Sequence, residues 1–462
     1  MAARVGLPPW LPTAGFMGVA AILGGVAGVD PQIAIGVSIG LAFSLLTLAN
    51  LTAGVIAFAF LAFLEFLFPG GYLVSMTKIA GGVLALSWVA KVASARKRDD
   101  FLAAFPGATY LLIAFLTWGV VSVTWSESPS ETLLVASRYL LVFGLLVITY
   151  SAVRRRGHAL WLIGAFLAST VLTAAFGLIN RPSAEATELV RIDSTVGNAN
   201  VLAMVLVAGI ALAVGAAIAS RRSPEIRTAA LGVAGLCLIS LIFTGSRSGI
   251  ISLAVVLITS VLFAGRWRAQ ALGGTVAIAT ISVVLFVLLA PPEIRERIAQ
   301  TTPGQASAAT EGRVTLWQVA GRMVEDRPLI GVGLGSFQAA SADYVLEPGT
   351  LGRTDQIIDD PKVAHNVYLQ SLAETGIVGA LLLLGVFGFP LVCALAAARN
   401  FERGDDREME IMARALSVAL VSMLAANFFA SEPLNKPLWL LMGLGTAMLT
   451  ISRSVLADDR RN

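Results

Sequence analysis

The sequence predicts an all-α fold: a polytopic transmembrane helical bundle of about 12–14 spans with one long, partly helical extracytoplasmic loop. Three observations carry this. Of the 462 residues, 56% are hydrophobic and 13% charged, the composition of an integral membrane protein. Apolar runs of about 20 residues, the length that crosses a hydrocarbon core, recur almost end to end, and strand-like alternation is absent. One long polar interruption, residues 291–373, comes late in the chain. Backbone in lipid must satisfy its own hydrogen bonds, so the apolar runs are read as helices.

Met1 to Pro12 holds one arginine and no small-residue cleavage site before the next apolar run, and is read as uncleaved rather than as a signal peptide. Spans are then expected near residues 14–29, 31–48, 51–68, 73–92, 107–125, 132–151, 159–179, 199–219, 228–244, 249–264, 271–290, 374–398, 411–430 and 438–454. Residues 31–68 are almost uninterrupted, so the division at 50 is the least marked. Clusters such as Arg96-Lys97-Arg98, Arg154-Arg155-Arg156, Arg221-Arg222, Arg266 with Arg268, and Arg399 with Arg403 and Arg407 fall in alternate short loops. The positive-inside rule makes these loops, and both termini, cytoplasmic in a bacterial inner membrane. The chain divides into a bundle at 1–290, an outer loop at 291–373, and a second bundle with a cytoplasmic tail at 374–462.

The outer loop is long for a connection, and loops of that length usually carry function. Glu311 to Asp326 reads as an amphipathic helix with Val314, Trp317, Ala320 and Val324 on one face, ending before Pro328. Gly331, Gly333 and Gly335 mark a tight, irregular turn; Gly331-Val332-Gly333 is preceded by no strand of a βαβ unit and is no nucleotide signature.

Several function classes are disfavoured. Cys237 and Cys393 both sit in apolar runs and read as buried filler, not as a disulfide framework or a metal site. A net charge of +4 is too small to indicate nucleic acid. Asp359-Asp360 has neither a nearby histidine cluster nor an acidic repeat, so no metal site is assigned. Paired repeats with interrupted midplane helices, the mark of a carrier or flippase for lipid-linked sugars, are not seen.

The candidate chemistry gathers on the outer side. Arg247, in Thr244-Gly245-Ser246-Arg247-Ser248-Gly249, occupies a hairpin turn that small residues alone would close. Arginine near bilayer depth costs about 2.5–3.5 kcal/mol. Its planar guanidinium suits a diphosphate, and snorkelling to lipid phosphate is the plainer alternative. Arg313 opens the amphipathic helix at the margin of its buried face. Arg191 and Asn200 lie at the mouth of the eighth span, where Arg191 is equally served by a salt bridge to Asp193 or Glu188. His365 closes the outer loop; the only other histidine, His158, follows an arginine run in a cytoplasmic loop. Neutral imidazole, with an ordinary pKa of about 6.5, can take a proton from a sugar hydroxyl. Asn366 would orient it or bind sugar, and Glu432 would support it from the thirteenth span. Arg322, Arg327 and Arg353 read as ordinary loop charges.

These residues form a pattern: His365-Asn366, nine residues, then Gly376 and Gly379, with the Arg247 turn, Arg313 before Leu316-Trp317, and Asp326-Arg327-Pro328-Leu329-Ile330-Gly331-Val332-Gly333 upstream. In this the chain resembles, over roughly residues 190–400, the O-antigen ligase and polymerase superfamily of polytopic glycosyltransferases. The resemblance implies an undecaprenyl-diphosphate-linked oligosaccharide as donor and a glycan or lipid A-core as acceptor, within surface polysaccharide synthesis. It further implies Arg247 and Arg313 on the donor diphosphate, His365 as base, inversion at the anomeric carbon, and no metal or cofactor. Arg191, Asn200 and Asn366 are the further substrate-binding candidates. Membrane lipids, and for a polymerase a chain-length regulator, would be partners. The ligase pattern has leucine four residues after the arginine, where this chain has Trp317, so a polymerase is expected ahead of a ligase; a carrier is the alternative of another class.

Overall fold

The computed structural model describes residues 24–25, 27–63, 76–94, 101–180, 192, 198–221, 223–299, 308–346, 351–352, 354–358 and 361–459. Among the described residues helices are the only regular element. The N-terminal part supplies α1 (Pro31–Ala49), α2 (Leu51–Leu61), α3 (Met76–Ser94), α4 (Pro106–Val121), α5 (Pro129–Ala152) and α6 (Arg156–Ile179). Next come α7 (Ala199–Ala219), α8 (Pro224–Thr244), α9 (Arg247–Leu262) and α10 (Arg268–Leu289). The polar segment contributes α11 (Pro292–Ala299), α12 (Ala308–Asp326) and α13 (Phe337–Val345), and the chain closes with α14 (Val367–Arg403), α15 (Arg407–Ala426) and α16 (Lys436–Asp459).

Among the described residues, nine helices are long and apolar enough to cross a membrane: α4 to α8, α10, and α14 to α16. The chain is a multi-pass membrane protein. α1, α2 and α9 are shorter apolar helices. From residue 31 onward each expected span overlaps a helix, that at 51–68 only over Leu51–Leu61, while 14–29 falls largely outside the described residues. The unmarked division near residue 50 is made by Asn50, whose side chain accepts from the Thr52 and Ala53 N–H groups and caps α2.

α7 is apolar all round and buried on nearly every face, as a helix hydrophobic on all sides must be. α6, α8, α9 and α15 pack around it. Close approach relies on small residues: a Cβ on Gly215 would meet Ala415 of α15, and one on Gly209 would meet Thr170 of α6. α14 packs against α4, α15 and α16. α10 has no buried residue and stands at the periphery.

The polar segment forms a layer with its own small core, in which Leu316, Val319, Ala320 and Met323 of α12 meet Val332, Phe337 and Ala373. This corrects the expected helix face. The buried stripe runs through Leu316, Val319, Ala320 and Met323, whereas Val314 is 47% exposed and Trp317 only partly covered. The stripe is rotated by about one residue because α12 must serve α13 and α14 together, not the membrane bundle alone.

α14 is not one straight rod. Gly376 has φ 63 and ψ −174, which divides it into a short N-terminal piece, Val367–Thr375, and the membrane span that follows. The freed backbone groups are met one by one. Val332 N–H donates to Ala373 O (3.0 Å), Gly333 N–H to Glu374 O (2.8 Å) and Trp118 Nε1–H to Thr375 O (2.9 Å). On the span side, Ile377 N–H donates to Pro328 O at 2.9 Å. Gly331, Gly333 and Gly335 have φ 66, 108 and 76 respectively, so the turn read as irregular is a left-handed series shaped to lie on the break.

A methyl group on Gly376 would strike the backbone of Leu329 and Ile330. Gly376→Ala is therefore expected to destabilise the protein by at least about 1–3 kcal/mol from the backbone conformation alone. Gly321→Ala, on open helix surface, serves as control and should leave stability unchanged or slightly raised. Thermal unfolding in detergent checks both.

Candidate active site

His365 is one of only two non-glycine residues with positive φ among the described residues, at φ 51. That conformation is uncommon for a side-chain-bearing residue and needs neighbours that over-determine it. They are present on both sides. The preceding carbonyl, Ala364 O, accepts from Trp317 Nε1–H of α12 at 2.9 Å. Asn366, 3% exposed, caps α14 by accepting from Tyr368 N–H and Leu369 N–H, each at 3.1 Å. Val367 N–H donates to Asn427 O and Ala430 O, at 3.0 and 3.1 Å, in the turn between α15 and α16. Tyr368 Oη–H donates to Leu424 O at 2.7 Å. Trp317 and Tyr368 both lie against the Phe428 ring.

The imidazole is held neutral. Burial, then the positive charges of Arg313 and Lys362, push its pKa down from 6.5 to about 4. Arg313 and His365, 52 positions apart in sequence, thus share one electrostatic environment at one end of the bundle. Arg313 is half-buried on α12, at the edge of the stripe through Leu316.

Arg247 and Asn200 form a second grouping at that end. α8 ends at Gly245 in the left-handed conformation, Ser246 caps α9, and Arg247 is its first residue. Ser246 Oγ–H donates to Asn200 Oδ1 at 2.8 Å, joining the turn to the first residues of α7. Ile192 N–H donates to Phe243 O at 3.3 Å beside it. α15 packs on α7 and α9, which carry this grouping, and on α14, which His365 precedes. A cavity of about 280 Å3 opens next to the Arg247 turn, lined by Gly245, Ser246, Ile250 and apolar residues of α8 and α10.

Beneath His365 lies a buried polar chain that the sequence pattern did not reveal. Ser431 Oγ–H donates to Gln370 Oε1 at 2.6 Å, and Gln370 Nε2–H donates to Glu374 Oε1 at 2.9 Å. Glu374 Oε2 accepts from Gly335 N–H at 2.8 Å. The signal was an acidic residue in the apolar run Leu372-Ala373-Glu374-Thr375-Gly376-Ile377, four positions after Gln370. For Lys362 the signal was its position three residues before His365. Glu432 lies in the turn that holds Val367, where burial pushes its carboxyl up.

Arg191, Arg353, Asp359 and Asp360 lie outside the described residues. Among the described residues no group of three or more His, Cys, Asp or Glu side chains is placed to hold a metal ion. Arg322 donates to Tyr344 O at 2.7 Å, and Arg327 pairs with Glu127 at 3.0 Å, fastening the outer layer to the α4–α5 connection. His158 lies at the other end of the bundle and accepts from Arg154 N–H at 3.4 Å.

What the arrangement offers is a neutral base with cations beside it, at the mouth of an apolar bundle. Residues 232–384 match the family model described as O-antigen ligase. The match contains Arg247, Arg313, His365, Gly376 and Gly379. No curated protein matches the chain.

Two outcomes test this geometry. Below pH 6.5 an unfolded His365 takes up a proton that the folded protein refuses, until the folded ring also protonates near 4. Stability should therefore fall as pH drops from 6.5 to 4, and thermal melts should show a shallower fall for His365→Gln. Trp317→Phe removes the bond to Ala364 O while keeping a ring, and should lower stability by about 1 kcal/mol.

Proposed function

We propose that this chain is an enzyme of the O-antigen ligase and polymerase superfamily acting in surface polysaccharide synthesis, a reading supported by the match over residues 232–384, and that it transfers a glycan from an undecaprenyl-diphosphate donor to an acceptor hydroxyl at the extracytoplasmic face. The observation that carries this reading is the placement of Arg313 beside a neutral His365 in a half-buried site. His365 removes the acceptor's proton as its oxygen attacks the anomeric carbon. The bond from that carbon to the diphosphate oxygen breaks, and the departing electron pair ends on a diphosphate neutralised by Arg247 and Arg313. A single displacement inverts the anomeric centre. The positive charge comes from arginine in this reading, not from a metal ion, and the apolar cavity beside the Arg247 turn accommodates the leading part of the polyprenyl chain.

A base with a pKa near 4, lowered first by burial and then by the neighbouring cations, is a weak one, and the donor offsets the part due to those cations. The diphosphate cancels the charge of Arg313 and Lys362, so the imidazole becomes more basic only when the donor is bound. Asn366, as the helix cap, holds His365 in place, and Asn200 fixes the Arg247 turn through Ser246. Polymerisation of repeat units is favoured over transfer to lipid A-core, because the place of the ligase leucine is taken by Trp317, which here is committed to the carbonyl before His365.

The purified protein given only an undecaprenyl-diphosphate oligosaccharide should build a ladder of longer glycans. Product formed only after lipid A-core is added would make it a ligase. Donor crossing the bilayer with no new glycosidic bond would replace transfer by transport. His365→Gly, which suits the positive φ, should lose at least about 10²-fold in turnover and regain part of it with added imidazole. The acid limb of kcat should lie at higher pH than that of kcat/KM, since the first reports the donor-bound enzyme and the second the free one. Coincident limbs would remove the donor-linked basicity.

A further inference from the structure

At the end of the bundle opposite His365, α10 stands off from α7, α9 and α15 and leaves a cavity of about 330 Å3. Its walls are apolar, with Ile210 and Val214 of α7, Val256 of α9 and Val418 of α15 facing α10 across the gap. Its mouth carries Arg221, Arg407, Arg414 and Trp267. The arginines differ in how they are satisfied. Arg414 pairs with Glu402 at 2.7 Å and Glu410 at 3.0 Å and also donates to Phe263 O. Arg266, nearby, pairs with the fully buried Glu410 side chain at 2.6 Å and with Asp405 at 3.7 Å. The local carboxylates are thereby engaged.

Arg407 and Arg221 have no such partner. Among the described residues neither has a carboxylate within ion-pair distance. Arg407 lies over the Trp267 ring at 5.0 Å and donates from Nη2 to Ile218 O at 3.3 Å. Its Nε, shut off from solvent, has no hydrogen-bond partner. Arg221 and Arg266 add like charge around it, with Glu410 the acidic group in reach. A buried charged N–H left unpaired is costly, and two uncompensated guanidinium groups at the lip of a dry slot match an anion with an attached hydrocarbon chain.

We propose that this cavity binds an anionic glycerophospholipid of the leaflet on the arginine-rich side, with its phosphate on Arg407 and Arg221 and an acyl chain between α10 and the bundle. The apolar walls argue against a free phosphate, and the exposed α10 makes the slot reachable from the bilayer. This site lies across the membrane from the transfer site and is independent of it.

Brominated-chain phosphatidylglycerol and brominated-chain phosphatidylcholine, titrated into nanodiscs holding the full chain, test the proposal through tryptophan quenching. The component lost in Trp267→Phe reports the slot. Brominated phosphatidylglycerol should quench it saturably, at a mole fraction at least tenfold below that needed for brominated phosphatidylcholine. Arg407→Gln and Arg221→Gln should each raise the half-saturating fraction about fivefold. Gly274→Leu, whose new side chain enters open space in the slot, should abolish quenching by both lipids without changing the melting temperature. Equal quenching by the two headgroups, no Trp267-dependent component, or an Arg221→Gln/Arg407→Gln double variant with unchanged affinity would each overturn the proposal.

Discussion

The break in α14 is the constraint on which the rest of the molecule depends. Interrupting a helix where it enters a bilayer exposes carbonyls and N–H groups that lipid cannot satisfy. Here Ala373, Glu374 and Thr375 give up helical partners on one side of Gly376, and Ile377 on the other. Their replacements come from two places: the Pro328–Gly335 strap, and the indole of Trp118 on α4. The strap in turn is held by the α4–α5 connection, through Leu334 N–H on Ser122 Oγ at 3.1 Å and Glu127 N–H on Val332 O at 3.2 Å. The Asp326-to-Gly333 motif and the Gly376, Gly379 pair are thus two halves of one joint. The glycines serve backbone approach: Gly376 against Leu329 and Ile330, Gly379 against Thr375 and Trp118.

That joint is what allows His365 its geometry. Because the N-terminal piece of α14 is fastened at Ala373 to Thr375, its start is a fixed point, and Asn366 can cap it against the α15–α16 turn. α12, anchored on the same layer, then delivers Trp317 to Ala364 O and Arg313 to the imidazole's surroundings. The buried Ser431–Gln370–Glu374–Gly335 chain ties this frame to the glycine turn from within. A side-chain-bearing residue such as His365 holds an unusual backbone conformation only where its neighbours leave it no alternative.

Charge is sorted between the two ends of the bundle. At one end arginines and carboxylates interlock: Arg156 with Asp406 and Glu408, and Arg266 and Arg414 on Glu410, which also accepts from Trp267 Nε1–H at 3.2 Å. At the other, Arg313 and Lys362 act on a neutral imidazole. Interlocked charges brace helix ends, whereas cations around a neutral base prepare a site for an anion.

Much of this was open to reading in the chain itself. Apolar runs of bilayer length determined where helices form, because a span in lipid has one way to satisfy its backbone; α7 at Ala199–Ala219 coincides with its expected limits, whereas α14 begins at Val367 rather than 374. The residue types of the Arg247 turn, Arg313 and His365 marked a candidate site, since cations and imidazole at a membrane edge have few purely structural uses. What the one-dimensional pattern could not decide was rotation and partnership. The face of α12 turned by a residue because it packs on α13 and α14 together, and periodicity alone does not know its neighbours. Trp317 looked like a departure from a motif and is a positioning contact to Ala364. Glu374 acquired its meaning from Gly335, 39 positions away, whereas Lys362 acts on His365 only three positions on. Local sequence determines what each segment is, because hydrogen bonding and hydrophobic period act over a few residues; which side chains meet is decided only when segments pack, because burial and charge act through space.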